Sequence, residues 1–313
     1  MARTSTSKAK PKRTARKTSP GADCPRRLEV STADYHKLEY LSNSRLKLFA
    51  EDPEEYAAVY VHKSRVQKPP TPSMQFGTDV ERWLFTGEIR DVALLPEEFE
   101  GPSGRKSDAF RKWKMSQVGR KILTVEQAAT DPNYRAYFEI ASNIENHDLA
   151  SHMLYGSGAR MHDAIQWRDP KFGVDRMCQL DLFRENEWIS DVKTSRSILR
   201  DDWERDAYDL KYHWQAATYI DAVYELYGID VPFYWIVIKN SPGYGVEVFK
   251  ASEEQIETGR AEYRAALKRW VACRDSGNWR SPTFGAATEV GVPFYVSARG
   301  VELIVKGSSV WVR

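Results

Sequence analysis

The sequence is poor in cysteine and has no long apolar segment. Its three cysteines, Cys24, Cys178 and Cys273, are far apart and odd in number, so they predict a reducing compartment rather than a disulfide framework. No apolar run approaches the roughly 18 residues of a membrane span, and the N-terminus lacks the apolar core of a signal peptide. We therefore expect a cytoplasmic protein that makes no contact with membranes.

The small net charge of +2 conceals an uneven distribution. Residues 1–27 carry nine Lys or Arg and one acid, whereas the remainder carries 37 basic and 43 acidic residues. This tail has no apolar periodicity and is predicted to be disordered. It is typical of an arm that contacts polyanions, although a solubilising tail has the same composition. We predict a folded domain over residues 28–280 and a small β appendage, without recognisable chemistry, over residues 281–313.

The segment Cys178–Thr194, CQLDLFRENEWISDVKT, has the pattern of two short strands joined by a polar turn. Apolar and polar residues alternate in both halves, which is the signal of a strand. In the first strand the alternation predicts Leu180 and Leu182 on one face and Asp181 on the other.

The length of the turn decides how these two strands pair. If three residues form the turn, Arg184 pairs with Trp188 and Asp181 lies opposite Asp191. Lys193 is two residues beyond Asp191, so both side chains project from the same side of their strand.

Two carboxylates that face each other repel by roughly 4 kcal/mol at about 4 Å and an effective dielectric constant of about 20. A divalent cation removes this repulsion, and a few hard oxygen ligands suit Mg²⁺, which keeps water molecules for a substrate to displace. A neighbouring lysine can hold a metal-bound water or help to deprotonate it. These are the parts needed for in-line attack on a phosphodiester. An ordinary Asp–Lys ion pair on a surface hairpin is the alternative interpretation.

A long helix is predicted from Asp201 or Asp202 to Gly228, because aromatic and aliphatic residues recur at three- and four-residue steps. Gln215 lies within this apolar stripe. A buried amide needs hydrogen-bond partners, and we expect Lys193 or a bound phosphate to be the partner.

With these residues the sequence resembles the PD-(D/E)xK nuclease superfamily. Asp181 followed by Asp191-x-Lys193 resembles the central motif, and Gly77-x-x-x-Glu81 resembles the first motif, where the RecE group often has His in the place of the Glu. Gln215-x-x-x-Tyr219 resembles the Q-x-x-x-Y motif of the RecB-like and RecE-like branches. Leu41-Ser42-x-Ser44-x-Leu46 resembles the entry segment of the RecE (exodeoxyribonuclease VIII) group. The resemblance covers roughly residues 30–275.

This resemblance implies an α/β (α+β) fold with a restriction-endonuclease-like core, in which helices flank a central mixed sheet. It implies that Asp181, Asp191 and the Val192 carbonyl bind Mg²⁺, for which Mn²⁺ can substitute, and that Glu81 completes a second metal position. Lys193 would orient or activate the water. Gln215 would hold the lysine or a phosphate oxygen, and Tyr219 would position the DNA backbone.

Five further residues are predicted to contact DNA. Ser42 and Ser44 stand at a predicted helix start, where backbone amides can meet a phosphate, and Tyr212 shares the helical stripe of Gln215. Arg105 and Lys106 belong to GPSGRKSDAFRKWK, whose basic and aromatic residues suit backbone contact and base stacking. A solvated helix with two buried rings explains that segment almost as well. His162 could be a metal ligand, but a half-buried histidine on a strand is the preferred interpretation.

The resemblance implies a Mg²⁺-dependent DNA exonuclease similar to RecE and lambda exonuclease, which resect one strand of linear duplex DNA in recombination or repair. The implied partners are duplex DNA ends, a single-strand annealing protein and further copies of the chain in a ring. One alternative is a RecB-type or CRISPR-adaptation nuclease, although the lack of a cysteine cluster argues against the iron–sulfur forms. The other is a DNA-binding recombination accessory protein that does not cut.

Overall fold

The computed structural model describes residues 25–281, the single positions 284, 285, 287 and 289, and the backbone of residues 301–305 and 308–312. Most of the basic tail lies outside the described residues, so its disorder stays a prediction. The folded part begins earlier than the predicted boundary at residue 28, because Arg26–Leu28 forms a strand. Arg27 donates to the buried carboxylate of Asp163 at 2.7 Å. Arg26 and Arg27 therefore belong to the domain and not to the tail.

The strands are numbered along the chain. They are β1 (Arg26–Leu28), β2 (Val92–Leu94), β3 (Lys121–Leu123), β4 (Arg160–Arg168), β5 (Asp175–Arg184), β6 (Trp188–Ser195), β7 (Phe233–Lys239), β8 (Val246–Lys250), β9 (Val301–Val305) and β10 (Ser308–Val312). Six of them form one sheet in the order β1-β4-β5-β6-β7-β8. Strands β6 and β7 are parallel and every other neighbouring pair in this sheet is antiparallel. The prediction of a central mixed sheet is confirmed.

The helices are numbered in the same way. They are α1 (Thr32–Tyr35), α2 (Asn43–Glu51), α3 (Pro53–Tyr56), α4 (Pro72–Thr86), α5 (Asp108–Ser116), α6 (Val125–Thr130), α7 (Arg135–Glu145), α8 (Asp148–Tyr155), α9 (Arg200–Asp209), α10 (Tyr212–Tyr227) and α11 (Glu253–Ser276). A π-helical turn, Ala57–Val61, continues α3. Among the described helices, none is long and apolar enough to cross a membrane.

Helices cover both faces of the sheet, which makes three layers. Residues of α9 and α10 pack on one face, with Ile165, Phe183 and Trp235 among the buried strand residues. Residues of α4, α7 and α8 pack on the other face, against Leu182 and Val192. Both faces of β5 to β7 therefore belong to the core. Each Å² of apolar surface buried there stabilises the folded state by roughly 25 cal/mol.

The predicted long helix is wrong, because two helices occupy that segment. Helix α9 ends at Asp209 and α10 begins at Tyr212. Between them Lys211 has a left-handed backbone conformation with φ of 56°. A left-handed residue cannot continue a right-handed helix, so the chain changes direction there. The break leaves the side chain of Lys211 beside the start of α10.

The strict alternation predicted for β5 is also wrong at one point. Leu180 packs in the cluster beneath α10, whereas Leu182 packs in the cluster beneath α4. The interruption is at Asp181. On β4, Leu180 pairs with Asp163 and Leu182 pairs with Met161, so Asp181 falls between two paired positions. On the neighbouring strand His162 has a φ of 51°, a conformation that is uncommon for residues other than glycine. This distortion of the ladder lies at the position of a predicted metal ligand.

The segment between α4 and α7 forms a small unit of its own. Strands β2 and β3 pair in parallel, and β3 leads into α6. The rings of Phe110 and Trp113 stack with centroids 6.0 Å apart, and both lie against Phe99. This packing favours the interpretation of a solvated helix, with its two rings partly buried against Phe99. Far along the chain, β9 and β10 pair antiparallel, and the function of the predicted appendage stays open to test.

Candidate active site

The β5–β6 hairpin has the register that the turn predicted. Arg184 pairs with Trp188, and the ladder continues through Phe183↔Ile189 to Leu182↔Ser190. The paired residues end there, one position before Asp181, and the carboxylates of Asp181 and Asp191 lie near enough to interact. The backbone N–H of Val192 donates to Asp181 Oδ2 at 3.0 Å, which fixes that carboxylate beside the neighbouring strand.

Asp191 and Lys193 lie side by side, as their spacing predicted. The ammonium of Lys193 forms an ion pair with Asp191 Oδ2 and lies 3.5 Å from the Val192 carbonyl oxygen. The Asp191 side chain is 1% exposed and that of Lys193 is 18% exposed. Lys193 is therefore the member of the pair that a substrate could reach.

The electrostatics of the site are those of crowded, buried carboxylates. Burial raises the pKa of Asp181 to about 6, and the charge of Glu81 adds to that rise. Burial raises the pKa of Asp191 to about 7, with the charge of Asp181 as the next contribution. Burial alone would lower the pKa of Lys193, but the charges of Asp191 and Asp181 outweigh it and raise that pKa. One lysine thus only partly compensates a surplus of negative charge.

Helix α4 brings Glu81 to the same place from the other side of the hairpin. Burial raises the pKa of Glu81, which also responds to the charges of Lys193 and Asp191. A Cβ at Gly77 would lie 3.1 Å from Thr194 Oγ1, so glycine there lets α4 approach β6 closely. Gly77 therefore lies directly against β6, the strand that carries Asp191 and Lys193.

His162 faces this acidic cluster from β4. Its Nδ1 lies 4.0 Å from Glu81 Oε1, and its ring meets Phe85 edge-on with centroids 4.7 Å apart. Burial lowers the pKa of His162. The structure agrees with a half-buried strand histidine and places it next to a predicted metal residue.

Helix α10 supplies an amide to the cluster, although not to the expected partner. Gln215 Nε2 donates to Asp191 Oδ1 at 2.6 Å and lies 3.1 Å from the Tyr219 hydroxyl. The expectation that Lys193 would be the protein partner of Gln215 is wrong, because the lysine already binds the other oxygen of the same carboxylate. Tyr219 is 9% exposed, so its hydroxyl holds Gln215 inside the site instead of facing the surface.

The donor set fits a hard divalent cation. Two aspartate carboxylates and the Val192 carbonyl lie at one point of the sheet, with Glu81 close by, and oxygen ligands of this kind suit Mg²⁺. Asp191 is buried and Asp181 is partly buried beside it, with a mutual repulsion that a cation relieves. Within residues 25–281 no three His, Cys, Asp or Glu side chains converge as a ready metal cluster, so a cation would depend mainly on the aspartate pair.

The residues predicted to contact DNA fall into different surroundings. Ser42 caps α2 by accepting from the Arg45 N–H at 3.3 Å and is buried, whereas Ser44 in the first turn is exposed. Arg105 and Lys106 form an exposed turn before α5. Among the described contacts, none joins these two residues to the Asp–Lys cluster.

Sequence reasoning missed two lysines next to the site. Lys193 Nζ lies 5.2 Å from the centroid of the Tyr212 ring, and Lys47 Nζ lies 5.8 Å from the same centroid. Lys211 precedes that tyrosine at the start of α10. Lys47 could have been found from the sequence, because it is three residues after Ser44, a predicted DNA contact, and residues three apart share a helix face.

Comparison with known proteins identifies the family of this chain and supports its fold. A family model described as a PDDEXK-like domain of unknown function (DUF3799) matches residues 42–283. A crystal structure from Eubacterium rectale, named "Putative exonuclease", is 15% identical with a TM-score of 0.55, covering 88% of this chain and all of that one. The structure of SSO0001 is 14% identical with a TM-score of 0.25, covering 70% of this chain and 84% of that one. No curated protein matches the sequence.

Proposed function

We propose that this chain, which belongs to the family of PDDEXK-like domains, is a metal-dependent nuclease that hydrolyses phosphodiester bonds of DNA. The observation that carries the proposal is the convergence of Asp181, Asp191, Lys193 and Gln215 at one point of the sheet. A surface hairpin with an ordinary ion pair would not bury Asp191 beside a second, partly buried carboxylate. It would also not direct a glutamine from a separate helix onto one of them.

Each residue has a role that follows from its contacts. Asp181, Asp191 and the Val192 carbonyl would hold Mg²⁺, which would supply charge stabilisation to the phosphate and acidity to a water molecule. Lys193 donates hydrogen bonds from the exposed side of the pair, where it can orient the attacking water. Gln215 and Tyr219 keep the Asp191 carboxylate in place.

Glu81 has a separate role in the same reaction. It approaches from α4, near enough to respond to the charges of both Lys193 and Asp191. Its side chain is 36% exposed, so it can turn toward a second cation or a substrate. We assign Glu81 to that second metal position.

The substrate and the biological setting are part of the proposal. The order of motifs supports an exonuclease of the RecE and lambda-exonuclease type, acting on ends of linear duplex DNA in recombination or repair in the cytoplasm. Ser42, Ser44 and Tyr212 would contact the cut strand, and Arg105 and Lys106 would contact backbone further away. A single-strand annealing protein and a ring of identical chains are the partners that this activity would need.

One assay tests the activity and its class. The protein is incubated with end-labelled linear duplex and with covalently closed circular DNA, with and without Mg²⁺. Digestion of linear DNA only, and only with Mg²⁺, is the expected result. Cutting of closed circles would identify an endonuclease, and binding without cutting under any divalent metal would favour the accessory protein instead.

A further inference from the structure

Two further lysines, Lys47 and Lys211, lie next to the Asp–Lys cluster and share one nearby carboxylate, that of Glu51. Lys193 is paired with Asp191, and Lys211 Nζ lies 3.5 Å from Glu51. Lys47 makes no ion pair with a carboxylate in the described part of the chain. Its Nζ instead donates to the carbonyl oxygen of Leu210 at 2.5 Å.

The ring of Tyr212 connects Lys47 to the active site. The ammonium groups of Lys47 and Lys193 both lie against this ring, which places them no more than about 11 Å apart. A duplex rises about 3.4 Å per nucleotide on each strand. The two groups are therefore within about three nucleotide steps of each other.

The fold holds Lys47 and Lys211 in place. Lys47 is half-buried on α2, and Lys211 is fixed by the left-handed turn between α9 and α10. Burial lowers the pKa of Lys47, Glu51 raises it, and the charges of Lys211 and Lys193 lower it again. Three ammonium groups that influence one another in this way are stabilised by an added anion.

We infer that Lys47, beside the Tyr212 ring, and Lys211, over the neighbouring Trp214 ring, form a second phosphate-binding site for a nucleotide one to three steps from the bond cleaved beside Lys193. This inference rests on the proposed nuclease function and adds a substrate contact to it. The ligand is a phosphate group, supplied either by the internal backbone or by a terminal 5′-phosphate. Two lysines suit it because phosphate contacts position a nucleic acid without reading its sequence.

The experiment measures single-turnover cleavage of duplex DNA against enzyme concentration, which gives an apparent Kd and a saturated rate. The variants are Lys47→Gln and Lys211→Asn, the latter chosen because asparagine tolerates a left-handed backbone. Lys250→Gln is the matched control, since Lys250 Nζ lies 5.9 Å over the Tyr234 ring on β7. Each variant is also tested on duplexes in which one phosphate near the cleaved bond is an uncharged methylphosphonate.

The expected result is a rise of about tenfold in apparent Kd for both variants, because each removes a hydrogen bond to a charged group. The saturated rate should stay near the wild-type value, and Lys250→Gln should behave as wild type. One methylphosphonate position should cost the wild type about tenfold while costing Lys47→Gln almost nothing. Lys47→Arg, which keeps the charge, should recover most of the affinity, and thermal melting verifies that each variant is folded.

The outcomes separate this inference from the activity itself. If the wild type cleaves DNA but Lys47→Gln has an unchanged apparent Kd, the second site is refuted. It is also refuted if every methylphosphonate substitution weakens Lys47→Gln as much as it weakens the wild type. If removal of the 5′-phosphate alone reproduces the loss, the site stands and the terminal phosphate is its ligand. If the wild type neither binds nor cleaves DNA, the proposed function has failed first.

Discussion

Replacing Gln215 by leucine tests the active-site geometry most directly. The substitution keeps the approximate volume but removes the donor that reaches Asp191 Oδ1 at 2.6 Å. Hydrogen bonds to charged groups contribute about 1.5–3 kcal/mol, and each 1.36 kcal/mol is about tenfold in rate. If the full free energy of this hydrogen bond stabilises the transition state, its loss should slow cleavage by between about tenfold and 150-fold.

The metal-free protein should also lose stability in this variant. Asp191 would keep Lys193 but lose its second partner while remaining buried. A loss of about 1–3 kcal/mol corresponds to a fall in melting temperature of roughly 2–4 °C per kcal/mol for a domain of this size. The same substitution in an Asp191→Asn background should cost much less, because the charged acceptor is gone.

The assay pairs thermal melting in EDTA with single-turnover cleavage in Mg²⁺ on the same preparation. Gln166→Leu is the matched control, because Gln166 is buried and accepts from Arg26 Nε at 2.9 Å, away from the acids. It should lower stability and leave the cleavage rate per folded molecule unchanged. Wild-type cleavage by Gln215→Leu would refute the reasoning, as would an equal stability loss in both backgrounds.

Four further outcomes are expected. Asp181→Asn should abolish cleavage yet raise the melting temperature in EDTA, because it removes one of two neighbouring like charges; an unchanged or lower melting temperature would count against the crowded-acid description. Asp221 accepts from Arg260, Arg264 and Tyr263, and these donors outweigh burial and lower its pKa. Its stabilisation is therefore present above the unfolded pKa of about 3.9 and lost as pH falls below it, so Asp221→Asn should flatten the acid limb of urea-unfolding stability. Gly259→Ala would put a Cβ 2.2 Å from the His213 carbonyl oxygen and should destabilise by roughly 1–3 kcal/mol, whereas a helical Gly→Ala change without such a clash stabilises. Deleting residues 1–24 should reduce the salt dependence of DNA binding by about 0.9 in log–log slope for each phosphate that the tail neutralises without changing the saturated rate, and an identical slope would show that the tail does not touch DNA.

Local sequence determined the parts of this protein that depend on neighbouring residues. The turn after Arg184 fixed the pairing with Trp188, and that register continues to Leu182 and Ser190, the neighbours of Asp181 and Asp191. The two-residue period put Asp191 and Lys193 side by side. A capping box between Ser252 and Gln255, residues three apart, starts α11. Turn length, strand period and capping act within a few residues, so they can be read from sequence.

Tertiary structure decided the contacts that join distant segments. The partner of Gln215 is 24 positions away in Asp191, and Lys47 meets Leu210 across 163 positions. Helical periodicity predicted that Gln215 faces the sheet, but not which oxygen it would reach. The break at Lys211 and the distortion of β5 at Asp181 escaped prediction for the same reason. The packing of whole elements selects these geometries, and packing energy depends on side chains that local patterns do not bring together.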